Sequence, residues 1–136
     1  MGNTKSLGIA YTDQDINGSN LIMSGEKLGY TTGAQGAVTQ ASNKGTAVTL
    51  NKSAGSITTN AASLGATTTV TFTLNNSYLS ANDTLLLTIA SGGTAGAYNA
   101  YVSGLAAGSA TIALRNVTAA PLLEAVVLNF AIIHCE

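Results

Sequence analysis

The fold class is decided by residues 67–75, which read TTTVTFTLN. Val70, Phe72 and Leu74 alternate with threonines, so an extended chain places the three apolar side chains on one face and the threonines on the other. An alternation with a period of two is typical of a strand that has one face in a core and the other against water or an interface. The segment therefore predicts a β-strand.

Further strands are predicted on both sides of this segment. The apolar run LLLTI at 85–89, preceded by Asp83, indicates a more buried strand. Residues 124–134 (EAVVLNFAIIH) are apolar on both parities, which suits a strand in the middle of a sandwich. Residues 110–115 place Ala110, Ile112 and Leu114 on one face and predict a further strand, and weaker patterns mark candidate strands at 37–40, 46–50, 56–59 and 98–103.

Clusters of Gly, Asn and Ser separate these segments at a spacing of roughly 8–12 residues, which is typical of all-β folds. The prediction is an antiparallel β-sandwich or a jelly-roll-like barrel. Gly29, Gly33, Gly36 and the run SGGTAG at 91–96 are interpreted as turns, because no lysine or helix follows them as in a phosphate-binding loop. The predicted core consists of Val70, Phe72, Leu74, Ile112, Leu114, Val126, Leu128 and Phe130.

The chain divides into two parts. Residues 1–28 show no sustained period, and they are predicted to be an extended polar N-terminal arm. Residues 29–136 are predicted to be the β-sandwich domain. Of the eleven Asp, Glu, Lys and Arg residues of the chain, five fall in the arm: Lys5, Asp13, Asp15, Glu26 and Lys27.

Charge is scarce throughout. Asp, Glu, Lys and Arg make up 8% of the chain, whereas about 25% is usual in a soluble domain. Five scattered cations cannot form the basic stripe that neutralises phosphates, so nucleic acid is a poor candidate partner. No membrane span is predicted, and residues 1–15 lack the pattern of a secretory signal. A neutral surface rich in Thr, Ser, Ala and Gly indicates a protein that other proteins cover.

The chemistry-bearing residues do not form a convincing catalytic set. His134 is the only imidazole, and Cys135 next to it would point to the opposite face of a strand. Asp83 and Glu124 are interpreted as charges at the rim of the sheet rather than as a catalytic pair. The sequence thus predicts no enzyme, no catalytic or cofactor-binding residues, no cofactor and no structural metal.

One segment resembles part of a cation-binding loop. Asp13, Asp15 and Asn17, followed by Gly18, match the first half of an EF-hand loop. Position twelve is Ser24, where a bidentate Glu is required. A solvated turn at Asn17 and Gly18 is the favoured interpretation.

The tyrosines offer one further possibility. Tyr98 and Tyr101, with Asn99 between them, are the candidate platform for a carbohydrate. Packing at an interface or rim is the favoured role of the five tyrosines, because an aromatic ring with a polar tip suits such sites.

Three blocks of the sequence resemble a widespread family of small virion proteins of tailed bacteriophages. They are GYTTGAQGAVTQASNKGTAVTLNKSAGSITTNAASLGATTTVTFTL at 29–74, ASGGTAGAY at 90–98 and EAVVLNFAII at 124–133. The opening GYTTGAQGAVTQ and the closing VVLNF are the most distinctive motifs. Proteins of this kind are head decoration (cement) proteins or tail-fibre-like proteins, and the resemblance brings no catalytic residues.

The resemblance implies a β-sandwich on the outer surface of a virion, made in the host cytoplasm. The leading expectation is a capsid decoration protein, a homotrimer that binds the major capsid protein or other virion proteins and stabilises the shell. The alternative is a tail-fibre or receptor-binding module. Strands with almost no edge lysines agree with a protein whose edges are covered by neighbouring subunits.

Overall fold

The computed structural model describes residues 21–24 and 27–135. These residues form ten strands and a short 3-10 helix (Thr32–Ala34). The strands are β1 (Leu21–Ser24), β2 (Lys27–Tyr30), β3 (Gln35–Thr39), β4 (Val48–Thr49), β5 (Ala54–Thr58), β6 (Thr69–Asn75), β7 (Thr84–Ser91), β8 (Tyr98–Ala106), β9 (Ser109–Asn116) and β10 (Val127–Ile133).

Two four-stranded sheets pack against each other, which confirms the predicted β-sandwich. The first sheet has the order β3-β5-β10-β7, and the second has the order β4-β6-β9-β8. From β3 to β8 the chain alternates between the sheets. Both sheets are mixed, because β3 runs parallel to β5 and β4 runs parallel to β6. The sequence pattern predicted only antiparallel pairs, but strands that enter alternate sheets can pair in parallel without a helix between them.

The core lies between the two sheets. Seven of the eight predicted core residues are buried, and the eighth, Val70, is half buried and packs against the same cluster. Strand β10 lies between β5 and β7, as its apolar character on both parities predicted. The buried hydrophobic cluster comprises Val48, Ile57, Leu64, Phe72, Leu74, Leu79, Leu85, Ala110, Ile112, Leu114, Val126, Leu128, Phe130 and Ile132.

Strand β7 corrects a prediction. Its apolar run indicated a buried strand, but β7 is the edge of the first sheet. Leu85 is buried, whereas Leu86 is 52% exposed and Ile89 is 38% exposed. Leu86 is exposed because it lies on the outer face of the sheet, and Ile89 is exposed although it shares the inward face with Leu85, because no strand flanks the free edge of β7.

Strand β6 begins two residues later than predicted. Thr67 has a φ of 52°, in the left-handed region that a β-branched residue rarely adopts. Its backbone N–H donates to the carbonyl of Thr118 at 3.0 Å, so this loop is tied to the segment that follows β9. The extended ladder therefore starts at Thr69.

Two predicted turn glycines lie inside strands. Gly36 of β3 is paired with Gly55 of β5, and the side chain of Leu50 packs over both. A Cβ on Gly36 would lie 2.8 Å from Leu50 Cδ1, so Gly36 allows Leu50 to pack closely over the strand and does not form a turn. Gly29 lies in β2, while Gly92, Gly93 and Gly96 do have the positive φ of turn residues.

A hairpin crosses the predicted boundary between arm and domain. Strands β1 and β2 pair antiparallel, and the boundary at 28/29 falls inside β2. The hydroxyl of Tyr30 donates to the backbone carbonyl of Ile132, which attaches the hairpin to β10. Residues 1–20 of the predicted arm, with Asp13, Asp15 and Asn17, lie outside the described residues.

A buried amide holds the loops at one end of the sandwich. The Asn116 side chain is fully buried and donates to the carbonyls of Leu64, Gly65 and Ala120 at 2.8–3.1 Å. Its oxygen accepts hydrogen bonds from the backbone N–H and the hydroxyl of Thr118. One side chain therefore satisfies the polar groups of two loops that have no regular strand pairing of their own.

Truncating a core ring tests this packing. Phe72→Ala and Phe130→Ala each lower the free energy of unfolding by about 3–5 kcal/mol, because each leaves a cavity between the sheets. Urea unfolding measures the change. Val117→Ala, at an exposed position, changes stability by less than about 0.5 kcal/mol. Equal effects at all three positions would contradict the assigned core.

The glycine contact gives a second test. Gly55→Ala lowers the free energy of unfolding by about 1–3 kcal/mol, because the new Cβ would lie 2.5 Å from the carbonyl oxygen of Gly36. Gly29→Ala is the matched control, since this strand glycine has no atom within 4 Å of a built Cβ. Thermal and urea unfolding of the two variants compare them. A neutral Gly55→Ala would rule out the close approach of β3 and β5.

Candidate binding surface

The two carboxylates considered as a catalytic pair do not meet. Asp83 immediately precedes β7, and Glu124 contacts Thr94, which follows β7. A strand of this length separates its ends by roughly 25 Å at 3.4 Å per residue. The structure therefore gives them separate roles, one at each end of the first sheet.

Asp83 is not a rim charge, as the sequence analysis had interpreted it, because its side chain is only 1% exposed. Its carboxylate accepts hydrogen bonds from the backbone N–H of Ser80 at 2.8 Å and the Ser80 hydroxyl at 2.9 Å. Nδ1 of His134 lies 2.9 Å from the same carboxylate, and the backbone N–H of Cys135 donates to it at 3.3 Å. Asp83 thus ties the end of β10 to the start of β7.

These donors lower the pKa of Asp83 to about 2, with the Ser80 backbone N–H contributing most and burial opposing the change. The pairing of Ser80 with Asp83 three residues later was readable as a local turn in the sequence. The partner His134, 51 residues further along, follows only from the pairing of β7 with β10.

His134 and Cys135 do not form a catalytic dyad. The ring of His134 is directed to Asp83. The thiol of Cys135 lies 3.9 Å from the Thr84 hydroxyl and 3.8 Å from the Ile133 carbonyl. These contacts fasten the end of β10.

Glu124 belongs to a second polar cluster, at the opposite end of β10. Its carboxylate accepts hydrogen bonds from the backbone N–H of Thr94 at 2.6 Å and, more weakly, from the Thr94 hydroxyl at 3.3 Å. The Thr94 backbone N–H is the main cause of the lowered pKa of Glu124. Burial, and then the negative charge of Glu124, raise the pKa of Tyr98 to about 12.

Lys44 is buried beside this cluster. Its ammonium group donates to the backbone carbonyls of Asn60 and Glu124, the latter at 2.6 Å. Burial lowers the pKa of Lys44, and the charge of Glu124 opposes that effect. Lys44 therefore links the loop that follows β5 to the loop that precedes β10.

Tyr98 and Tyr101, the candidate sugar platform, do not share a face. Tyr98 and Tyr101 are three residues apart in β8, so their rings lie on opposite faces of the second sheet. Tyr98 packs against the core and Tyr101 is exposed. Tyr30 anchors the hairpin, which leaves no stacked pair among these three rings.

The most distinctive surface is the outer face of the first sheet beside the hairpin. A groove of about 450 Å³ lies there. Leu28, at 79% exposure, and Ile133 are large exposed hydrophobic residues on its walls, together with Leu86. These three residues are called the apolar patch below. The remaining lining residues are Gly29, Tyr30, Ala131, Ile132 and His134.

Sequence reasoning missed this surface. The outward parity of β10 and β7 brings Ala131 opposite Leu86, and Ile133 opposite Thr84. The hairpin carries Leu28 to the same place, although its sequence has no sustained alternation. In the apolar runs at 85–89 and 124–134, one of the two alternating sets of side chains had to face outward. Only the strand order shows which set is exposed.

The described part of the chain, residues 21–24 and 27–135, contains no group of three or more His, Cys, Asp or Glu residues placed to hold a metal ion. Within the same residues, none of the helical structure has the length and hydropathy needed to cross a membrane. Comparison of the chain with protein-family models, with curated proteins and with solved structures found no match.

The Asp83 contacts predict a pH dependence. The folded pKa lies below the ordinary value of 3.8, so the stabilisation is complete above about pH 4 and is lost as the pH falls towards 2. Asp83→Asn is less stable than the wild type at pH 7 and loses this part of the pH dependence. Urea unfolding across this range measures it, and Asn82→Ala is the control. Parallel pH profiles for the wild type and Asp83→Asn would contradict the assignment.

Proposed function

We propose that this protein is a structural component of a tailed-bacteriophage particle, a capsid decoration protein that binds the outer shell and stabilises it. The apolar patch is the observation that carries the proposal. A cluster of large exposed hydrophobic side chains on one face is typical of a protein-binding site rather than of a free surface. Leu86 and Ile133 of the patch lie on the outer face of the first sheet, and Leu28 lies in the adjoining hairpin, so paired strands present all three side chains.

The placement of three charged residues supports the same role, because they contact groups within the fold and do not line the groove. Lys44, Asp83 and Glu124 all make structural contacts within the fold. The groove walls contain no Asp, Glu, Lys or Arg, and His134 is the only titratable side chain there besides Tyr30. A neutral apolar surface matches a protein partner, whereas a nucleic acid would require clustered cations.

The resemblance to small virion proteins supports the choice of particle. Its opening motif, GYTTGAQGAVTQ at 29–40, spans the end of β2, the 3-10 helix and β3. Its closing motif, VVLNF at 126–130, enters β10. Both motifs therefore contribute to the first sheet, which carries the patch on its outer face.

Particles with and without the protein test the role. Stripped particles release DNA at a lower temperature than complete particles, because a decoration protein braces neighbouring shell subunits. Dye fluorescence during heating reads DNA release, and imaging counts the copies on each particle. Equal release temperatures, with copies confined to the tail tip and loss of host adsorption, would replace this proposal with the tail-fibre or receptor-binding alternative.

A matched pair of variants tests the patch itself. Leu28→Asp weakens binding to stripped particles by about tenfold or more, because it buries a charge in an apolar contact. Leu123→Asp replaces a similarly exposed leucine, 69% exposed, that precedes β10 at the end remote from the patch. Co-sedimentation with stripped particles measures both. Equal binding by the two variants would exclude the patch as the docking site.

A further inference from the structure

The four edge strands of the sandwich differ in how well they are protected against pairing. Free sheet edges are usually blunted by short length, charge, proline or a bulge. Two edges are protected by short length, because β3 of the first sheet has five residues and β4 of the second sheet has two. Strand β8 has nine residues, but its pairing with β9 is interrupted between Val102 and Gly104. A bulge of this kind twists an edge away from a partner.

Strand β7 has none of these protections over most of its length. It has eight residues, TLLLTIAS, with no charged residue and no proline. Its pairing with β10 is regular from Thr84 to Ile89, and the only irregularity comes at the end of the strand. The exposed side chains of Leu86 and Ile89 stand on this edge, one on each face of the sheet.

We propose that β7 pairs in antiparallel fashion with β7 of a second copy of this chain, across a two-fold axis. The contact joins two four-stranded first sheets into one continuous sheet. A two-fold contact places a surface against itself, so it must be self-complementary. An uncharged edge meets this condition, because no like charges are brought opposite each other.

The second copy accounts for the exposed apolar groups better than a foreign strand does. In the joined sheet Leu86 and Ile89 of each copy lie beside β7 of the other copy, and each loses part of its contact with water. The added strand flanks Leu86 and does not cover the outer face of the sheet, so the apolar patch stays accessible. Each β7 strand therefore provides both the free backbone edge and the apolar side chains that the other copy contacts. The contact gives dimers, whereas the homotrimer expected from the sequence requires a different surface.

Two threonine substitutions form a matched test. Thr88 of β7 and Thr39 of β3 are both exposed and lie on the outer face of the same sheet, on opposite edges. Thr88→Lys brings two positive charges close together across the two-fold axis and raises the dimer dissociation constant by about tenfold or more. Thr39→Lys changes it by less than about twofold.

Sedimentation velocity and native mass spectrometry of the full chain give the oligomeric state up to about 100 µM. The expected result is a dimer that Thr88→Lys weakens and Thr39→Lys does not. Hydrogen exchange provides a second readout, because the backbone amides on the free edge of β7 become protected as the dimer forms. A monomer throughout, a trimer insensitive to Thr88→Lys, or equal effects of the two substitutions would overturn the proposal.

Protection of β7 that persists in monomeric Thr88→Lys would also overturn it, because the edge would then be covered within one subunit. These measurements use purified protein and no particles. Their failure leaves the proposed capsid role intact, and failure of Leu28→Asp to reduce particle binding leaves the β7 contact intact. The two proposals are therefore separable.

Discussion

The structure depends on strand β10 being held at both ends while its inner face fills the space between the sheets. Leu128, Phe130 and Ile132 are buried along that face. Before the strand, Thr59 accepts a hydrogen bond from the N–H of Val126 at 2.9 Å and donates its own N–H to the Val126 carbonyl. Buried polar groups of this kind stabilise only when fully satisfied, so they fix the register of the strand as well as its position.

The far end of β10 is held differently. Asp83 receives donors from both the turn before β7 and the residues after β10, so one carboxylate orders two chain segments that are distant in sequence. Because β10 occupies the centre of the first sheet, β7 is left at its edge. The apolar patch and the unprotected edge both follow from this placement.

The sequence predicted the architecture because alternation along a strand directly records which side chains share a face. It predicted the buried residues of β6, β9 and β10 for the same reason. The central position of β10 was indicated instead by its apolar character on both parities. It misplaced β7, since periodicity describes a strand's own faces and carries no information about its neighbours. Gly36 and Gly55 illustrate a related limit, because the need for glycine there comes from Leu50 and from the other strand.

The candidate surface was harder to predict than the fold. Leu86, Ala131 and Leu28 come from three separate segments, and only the sheet order and the hairpin bring them together. The hairpin was assigned to a polar arm because it contains charges and no alternation. Asp83 illustrates the same limit: a carboxylate beside a strand is usually solvated, and its contacts with His134 and Cys135 follow only from the pairing of β7 with β10.

Most of the few charged residues that the structure describes are used for contacts inside the fold. In the described part of the chain, Lys44, Asp83 and Glu124 make the internal contacts discussed above, and Lys52 donates to the carbonyl of Gly33 at 3.0 Å. Most charges there therefore serve to close loops of the sandwich. Apart from the exposed Lys27 and Arg115, the outward faces of the described strands carry hydroxyl, amide and apolar groups, which neither repel a like surface nor attract a strongly charged one. Such a surface selects partners by shape and apolar contact, which agrees with the proposed role in binding other proteins.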